Sequence, residues 1–129
     1  MIGSNAFNYI NVLNSAANAS QLRNEVIANN VANVDTPGYK RQDVEFESYL
    51  KSALSGDNSL DERVADANLS SLSPTVYTDN SSLSYRLDGN NVDIDTEEAY
   101  LADNQIRYYA LLDSMTQEFS RIKTVLTAK

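Results

Sequence analysis

The feature that most limits what this chain can fold into is a long helical seam near its C-terminus. Leu101, Tyr108, Leu112, Met115, Phe119, Ile122 and Leu126 follow one another at alternating steps of three and four residues, interrupted only at Gln105. Such spacing puts every one of them on a single stripe of an α-helix. The stripe predicts a helix over about residues 96–127, roughly 48 Å long at the usual rise per residue. A chain of 129 residues folded into one compact domain cannot cover a helix of that length with its own core. It needs a long partner.

The N-terminal part supplies one. Ala6, Ile10, Leu13, Ala17, Ile27, Val31 and Val34 repeat in the same way and predict a helix over about residues 5–34, roughly 45 Å long. Ser20 and Asn24 interrupt its seam. Polar residues there weaken a coiled coil but fix register and partner. The expected fold is therefore mainly α, with two long terminal helices in an antiparallel, coiled-coil-like hairpin. An ordinary helical-bundle core would explain the same stripes, but no third long helix is present to complete a bundle. Side faces such as Val12, Ala16 and Ala19 on the first helix and Leu111 and Val125 on the last are expected to need neighbouring subunits.

Between the helices the chain is punctuated. Thr36 precedes Pro37 and so is pushed out of the helical region, and Pro37-Gly38 has the chemistry of a type II turn. Asn29, Asn30 and Asn33 crowd the end of the helix, where asparagine is a poor helix former unless its amide bonds elsewhere. They could equally be solvated residues of a fraying end. A short second helix is expected after the turn, with Asp43 as N-cap, Phe46, Tyr49, Leu50, Ala53 and Leu54 on its apolar face, and Gly56 ending it. Residues 56–82 are dominated by Ser, Asn and Asp and read as loop or disorder. Asp88-Gly89-Asn90-Asn91, flanked by Tyr85-Arg86-Leu87 and Val92-Asp93-Ile94, predicts a small β-hairpin. Asp95, with Glu98 three residues on, is expected to cap the last helix. The organisation expected is 1–55 (helix, turn, short helix), 56–84 (polar, flexible) and 85–129 (hairpin, long helix), together one assembly domain.

Charge follows the same division. Residues 56–95 hold eight acids against Arg63 and Arg86, which accounts for −6 of the net −8. With no basic stripe the chain lacks what nucleic acid or an anionic membrane requires. Cysteine and histidine are both absent, which removes disulfides, thiolate nucleophiles and the commonest general base. Asp88, Asp93, Asp95, Glu97 and Glu98 cluster, but Gly89 directly after Asp88 does not fit a calcium loop, and turn and cap roles account for Asp88, Asp95 and Glu98. No phosphate loop or nucleophile elbow is present. The eight tyrosines lack the basic surroundings of a base-stacking surface; packing explains Tyr100, Tyr108 and Tyr109 better. No enzyme and no cofactor are expected. The N-terminus shows neither a charged n-region nor an apolar h-region, so no cleaved secretory signal is expected.

The run Ala28-Asn29-Asn30-Val31-Ala32-Asn33-Val34-Asp35-Thr36-Pro37-Gly38-Tyr39-Lys40 resembles the N-terminal signature of the bacterial flagellar rod, hook and hook-associated axial proteins, with Asn29, Asn30, Asn33, Thr36, Pro37, Gly38 and Tyr39 in place. The short length, Asp43-Val44-Glu45-Phe46 and Asn104-Gln105-Ile106-Arg107-Tyr108 are most similar to the proximal rod proteins. The resemblance covers about residues 5–50 and 85–127. It implies a structural subunit that passes torque from the membrane ring through the rod to the hook. It implies as partners copies of itself, the rod proteins FlgC, FlgF and FlgG, the adaptor FliE, the membrane ring and the flagellar export apparatus. It also implies export without a cleaved signal and a place in the periplasmic rod. The assembly interface is expected at the turn, Asn33 to Tyr39, and on the seams: Ile10, Leu13, Ile27 and Val31 on the first helix, and Tyr108, Leu112, Met115, Phe119, Ile122 and Leu126 on the last. The alternatives are another axial rod protein such as FlgC, or a coiled-coil, chaperone-like module that folds alone.

Overall fold

A computed structural model describes residues 2–81 and 86–128, with side chains from Phe7 onward; the side chain of Ala6 and the strand residue expected at Tyr85 lie outside the described set. The order of elements is α1 (Ile2–Ala32), β1 (Gln42–Glu45), α2 (Glu47–Ala53), α3 (Leu60–Asp66), a 3-10 turn (Leu69–Leu72), β2 (Thr75–Thr78) and α4 (Ile94–Thr127). The mainly α architecture with long terminal helices forms as expected. Asn30 meets Glu97, while Asn104 meets Ser20 and Asn24, so residue numbers rise along one helix as they fall along the other. The pair is antiparallel.

The end of α1 comes four residues before Thr36. Asn33 donates from Nδ2 to the Asn29 carbonyl (2.8 Å) and accepts from the Thr36 hydroxyl (3.1 Å). These local bonds compete with the regular ladder and let the helix unwind early. Thr36-Pro37-Gly38-Tyr39 then closes as the expected turn: Tyr39 N–H donates to the Thr36 carbonyl at 3.2 Å, and Gly38 has φ +74°. A Cβ at Gly38 would meet nothing within 4 Å. Glycine is needed there for its backbone conformation, not for space.

Asp43 does not cap a helix; it lies within β1. That strand pairs antiparallel with β2 in the register Gln42↔Thr78, Asp43↔Tyr77, Val44↔Val76 and Glu45↔Thr75. α2 starts later, behind Phe46, and its C-cap is Leu54, ahead of Gly56. A two-stranded antiparallel sheet is present, but it joins the post-turn segment to the polar middle instead of folding over Asp88-Gly89. Around that dipeptide the chain makes a turn, Gly89 N–H to the Arg86 carbonyl (3.1 Å) with Gly89 at φ +77°, and residues 90–93 lead into α4 without forming a strand. The cap of α4 is Asp93, which accepts from the N–H groups of Asp95 and Thr96, so the helix opens before Asp95. That early start turns Glu97 inward onto Arg41.

The polar middle is structured through Thr78. Ser59 and Glu62 form a reciprocal capping box that starts α3. Its few apolar residues are placed to matter: Val64 and Leu72 are buried with Phe46 against Val12 and Ala19 of α1. Fully burying side chains of this kind contributes roughly 1.5–3 kcal/mol apiece. The face of α1 at Val12, Ala16 and Ala19 is therefore covered by the chain's own middle segment, not left for a neighbour.

Candidate assembly site

Two regions of the helical hairpin carry the residues that the sequence singles out. At one end the asparagine-rich run is tied into a buried polar network. Asn30, with no exposed surface, makes a complete amide pair with the backbone of Gln42, donating to its carbonyl (2.8 Å) and accepting from its N–H (2.9 Å). Its Nδ2 also reaches Glu97 (3.1 Å), and its Oδ1 accepts from the Tyr39 hydroxyl (3.0 Å). Asn29 donates to that same hydroxyl at 3.0 Å. The asparagines are thus bonded inside the fold, and the fraying alternative does not hold for Asn30.

Arg41 is the centre of the charged part. Its Nε bonds Glu97 Oε1 at 2.6 Å, its Nη1 pairs with Asp79, and its guanidinium lies 5.2 Å over the Tyr100 ring. Glu97 has no exposed surface and Arg41 keeps 5% of its own. Burial works against the Arg41 charge, but hydrogen bonds and charge from Glu97 and Asp79 outweigh it and hold the guanidinium more firmly protonated than usual. Hydrogen bonds from Ser81, then from Arg41, hold the Asp79 carboxyl below its ordinary range despite partial burial. Asn91 binds Arg41 N–H through Oδ1 (2.7 Å) and the Asp79 carbonyl through Nδ2 (2.9 Å).

The turn itself is held from the same side. Asn90 Nδ2 lies 2.8–3.0 Å from the carbonyls of Asn33, Val34 and Thr36, Gly38 N–H donates to the Asp88 carbonyl (2.7 Å), and Arg86 donates to the Val34 carbonyl (2.7 Å). Asp35, Thr36, Pro37 and Gly38 remain on the surface around these ties. Asp88 and Asp93 spend their carboxylates on a turn and a cap, and Glu97 on Arg41. Among the described residues no group of three acids is arranged to hold a metal ion, and no helix is long and apolar enough to cross a membrane.

Along the rest of the interface between the helices the packing is apolar, and the end away from the turn is open. Ile10 and Ile27 are buried, and Leu13 and Val31 half-buried, on the face of α1 towards α4. Tyr108, Met115 and Ile122 are half-buried in return, but Leu112, Phe119 and Leu126 stand out of the hairpin, with Phe119 52% and Leu126 78% exposed. Asn104, not Gln105, takes the inward place in the seam, donating to the Ser20 carbonyl and to Asn24 Oδ1, each at 2.7 Å. The interruptions on the two helices therefore meet each other.

Comparison with known proteins agrees with this chain's length and layout. A family model described as "Flagella basal body rod protein" matches residues 10–40. The chain is 38% identical over 117 residues to the flagellar basal body rod protein FlgB of Bacillus subtilis, covering 89% of this chain and 90% of that one. It belongs to the FlgB group of flagellar basal-body rod proteins. FlgB of Borreliella burgdorferi is 34% identical over 115 residues, covering 81% and 85%, and FlgB of Escherichia coli 33% over 120 residues, covering 86% and 87%. The chain is accordingly a structural subunit of the proximal rod, located in the flagellar basal body. The stretch matched by the family model holds most of α1, the turn and Tyr39, the elements tied together by the polar network.

Proposed function

We propose that this rod subunit carries torque from the membrane ring along the rod through its helical hairpin, with the polar network setting the geometry of one end and the exposed seam joining neighbours at the other. The observation that carries the reading is the run of large apolar side chains, Leu112, Phe119 and Leu126, left outside the chain's own core on α4. A two-helix hairpin cannot cover them, and neighbouring copies packed head to tail in an open helical array can. The buried and half-buried members of the seams, Ile10, Leu13, Ile27, Val31, Tyr108, Met115 and Ile122, hold the hairpin that presents them. The turn from Asn33 to Tyr39 projects from the opposite end as a second contact.

The same resemblance supports a periplasmic rod position reached through the flagellar export apparatus without a cleaved signal, with contacts to FliE, FlgC, FlgF and FlgG. Helix ends that stay incompletely folded until neighbours cover them suit export through a narrow channel and delay polymerisation. The test is motility with Leu112→Asp or Phe119→Asp in place of the wild-type chain. Expression and export persist, while rod assembly and swimming are lost; wild-type swimming in either variant would overturn the seam assignment.

A further inference from the structure

The sheet has two edges, and they are treated differently. Asp79 N–H bonds the Arg41 carbonyl (2.9 Å), so in the antiparallel alternation Asp43↔Tyr77 and Glu45↔Thr75 are the hydrogen-bonded pairs. Gln42 and Val44 accordingly turn their backbone groups away from β2. Those groups are occupied: Asn30 takes both groups of Gln42, Arg23 takes the Val44 carbonyl (2.7 Å), and Asp43 Oδ1 takes the Val44 N–H (2.7 Å). On β2 the same alternation points the N–H and C=O groups of Val76 and Thr78 outward. Among the described residues nothing bonds them, and all four residues of β2 are exposed. One edge is sealed by side chains from α1 and the other is left open.

We propose that the open edge of β2 is a docking site for a basic, extended segment of another protein, which adds as a third strand. Charge selects the occupant. The face of the sheet that bears Tyr77 borders a cleft of about 510 Å³ between β1 and α4, where Asp43, Glu45, Glu47 and Asp103 meet Arg23 and Arg107. With Arg41 reaching Asp43 at 3.6 Å, four carboxylates face three guanidinium groups, Glu45 alone lacking an ion pair among them. A lysine or arginine on an added strand would project beside Tyr77 towards this excess of carboxylate. Consistent with that field, burial and the charges of Asp43, Asp79 and Glu45 push the Tyr77 phenol above its ordinary range. A second copy is a poor occupant. Pairing β2 with β2 would bring no cation to the cleft, since Thr75–Thr78 carries none, and the basic residues of the approach to β1, Lys40 and Arg41, are already engaged with Gly89 and with Glu97 and Asp79.

The site is separate from the α4 seam, so failure of one reading leaves the other standing. The probe is an eight-residue peptide alternating lysine and valine, compared with its glutamate–valine counterpart, added at millimolar concentration to the full chain. Amide exchange at Val76 and Thr78 slows at least tenfold with the lysine peptide and less than twofold with the glutamate one. Val76→Pro deletes an outward donor without touching the β1–β2 ladder and abolishes the protection at Thr78. Glu45→Lys combined with Asp103→Lys reverses the cleft charge and moves the preference to the glutamate peptide, which tests the site even if the proline variant fails to fold. Equal protection by both peptides, protection by neither, or concentration-dependent protection with no peptide present would overturn the proposal, the last by showing that a second copy fills the edge.

Discussion

The two ends of the helical hairpin solve opposite problems. At the turn end, from Asn24 to Arg41 on one side and Arg86 to Asn104 on the other, most buried polar atoms are given a partner by the chain's own segments, with Arg41 Nη2 and Asn104 Oδ1 left without a hydrogen bond. At the open end, Phe7 on α1 and Leu112, Phe119, Val125 and Leu126 on α4 leave large apolar surfaces in water. Buried polar networks are directional and tolerate few alternatives, whereas apolar surface is non-directional and strengthens with every neighbour that covers it. The first kind fixes a shape within the subunit, and the second joins subunits. The difference is functional: a rod needs parts of defined geometry that still complete one another.

The contrast can be broken most directly at Glu97. Glu97→Ala leaves Arg41 buried beside fewer acceptors, which costs about 3–5 kcal/mol, measured as a fall in urea midpoint; a change below about 1 kcal/mol would mean that the network is ornamental. Asn30→Ala strands the backbone groups of Gln42 and should cost about 1–3 kcal/mol by the same measurement. Gly38→Ala meets no steric obstacle, so only its left-handed backbone counts, at about 1 kcal/mol. Acid acts in the same direction but more gently. Hydrogen bonding to Arg23 holds the Glu47 carboxyl below its ordinary value, and Asp79 is depressed by Ser81 and Arg41. Groups with depressed folded values contribute stability that is present above their unfolded values and is lost as pH falls through the folded ones. Thermal stability should therefore drop below about pH 4, and less so in Asp79→Asn. Phe119→Asp, by contrast, should change the stability of the isolated subunit by less than about 0.5 kcal/mol while abolishing assembly, which separates the two ends in a single variant.

What was legible in the sequence follows the same division. The long helices and the Thr-Pro-Gly turn are written in local periodicity and local turn chemistry, and they appear within a few residues of their expected bounds. The polar network is not local. Asn30 finds Gln42 and Glu97, and Asn90 finds three carbonyls near the turn more than fifty residues away. Oddly placed asparagines were the only signal, and they named no partner. Strand β1 was hidden because Asp43 ahead of an apolar run also resembles a helix cap, and its partner β2 sits in a segment whose composition argues for loop. Val64 and Leu72 look scattered along that segment, yet folding brings both onto Val12 and Ala19. On α4, the seam drawn through Gln105 passes one residue from Asn104, whose inward position depends on meeting Ser20 and Asn24.

The central claim is that one end of the hairpin is complete in the lone subunit and the other is completed by neighbours. Residue-resolved amide exchange on the full chain, first dilute and then assembled, tests it. Residues 24–32 and 94–104 should be protected in both states, while residues 112–127 exchange freely in the dilute chain and gain protection on assembly. Equal protection along both helices in the dilute chain would contradict the account, because the exposed seam would then need no partner to hold its shape.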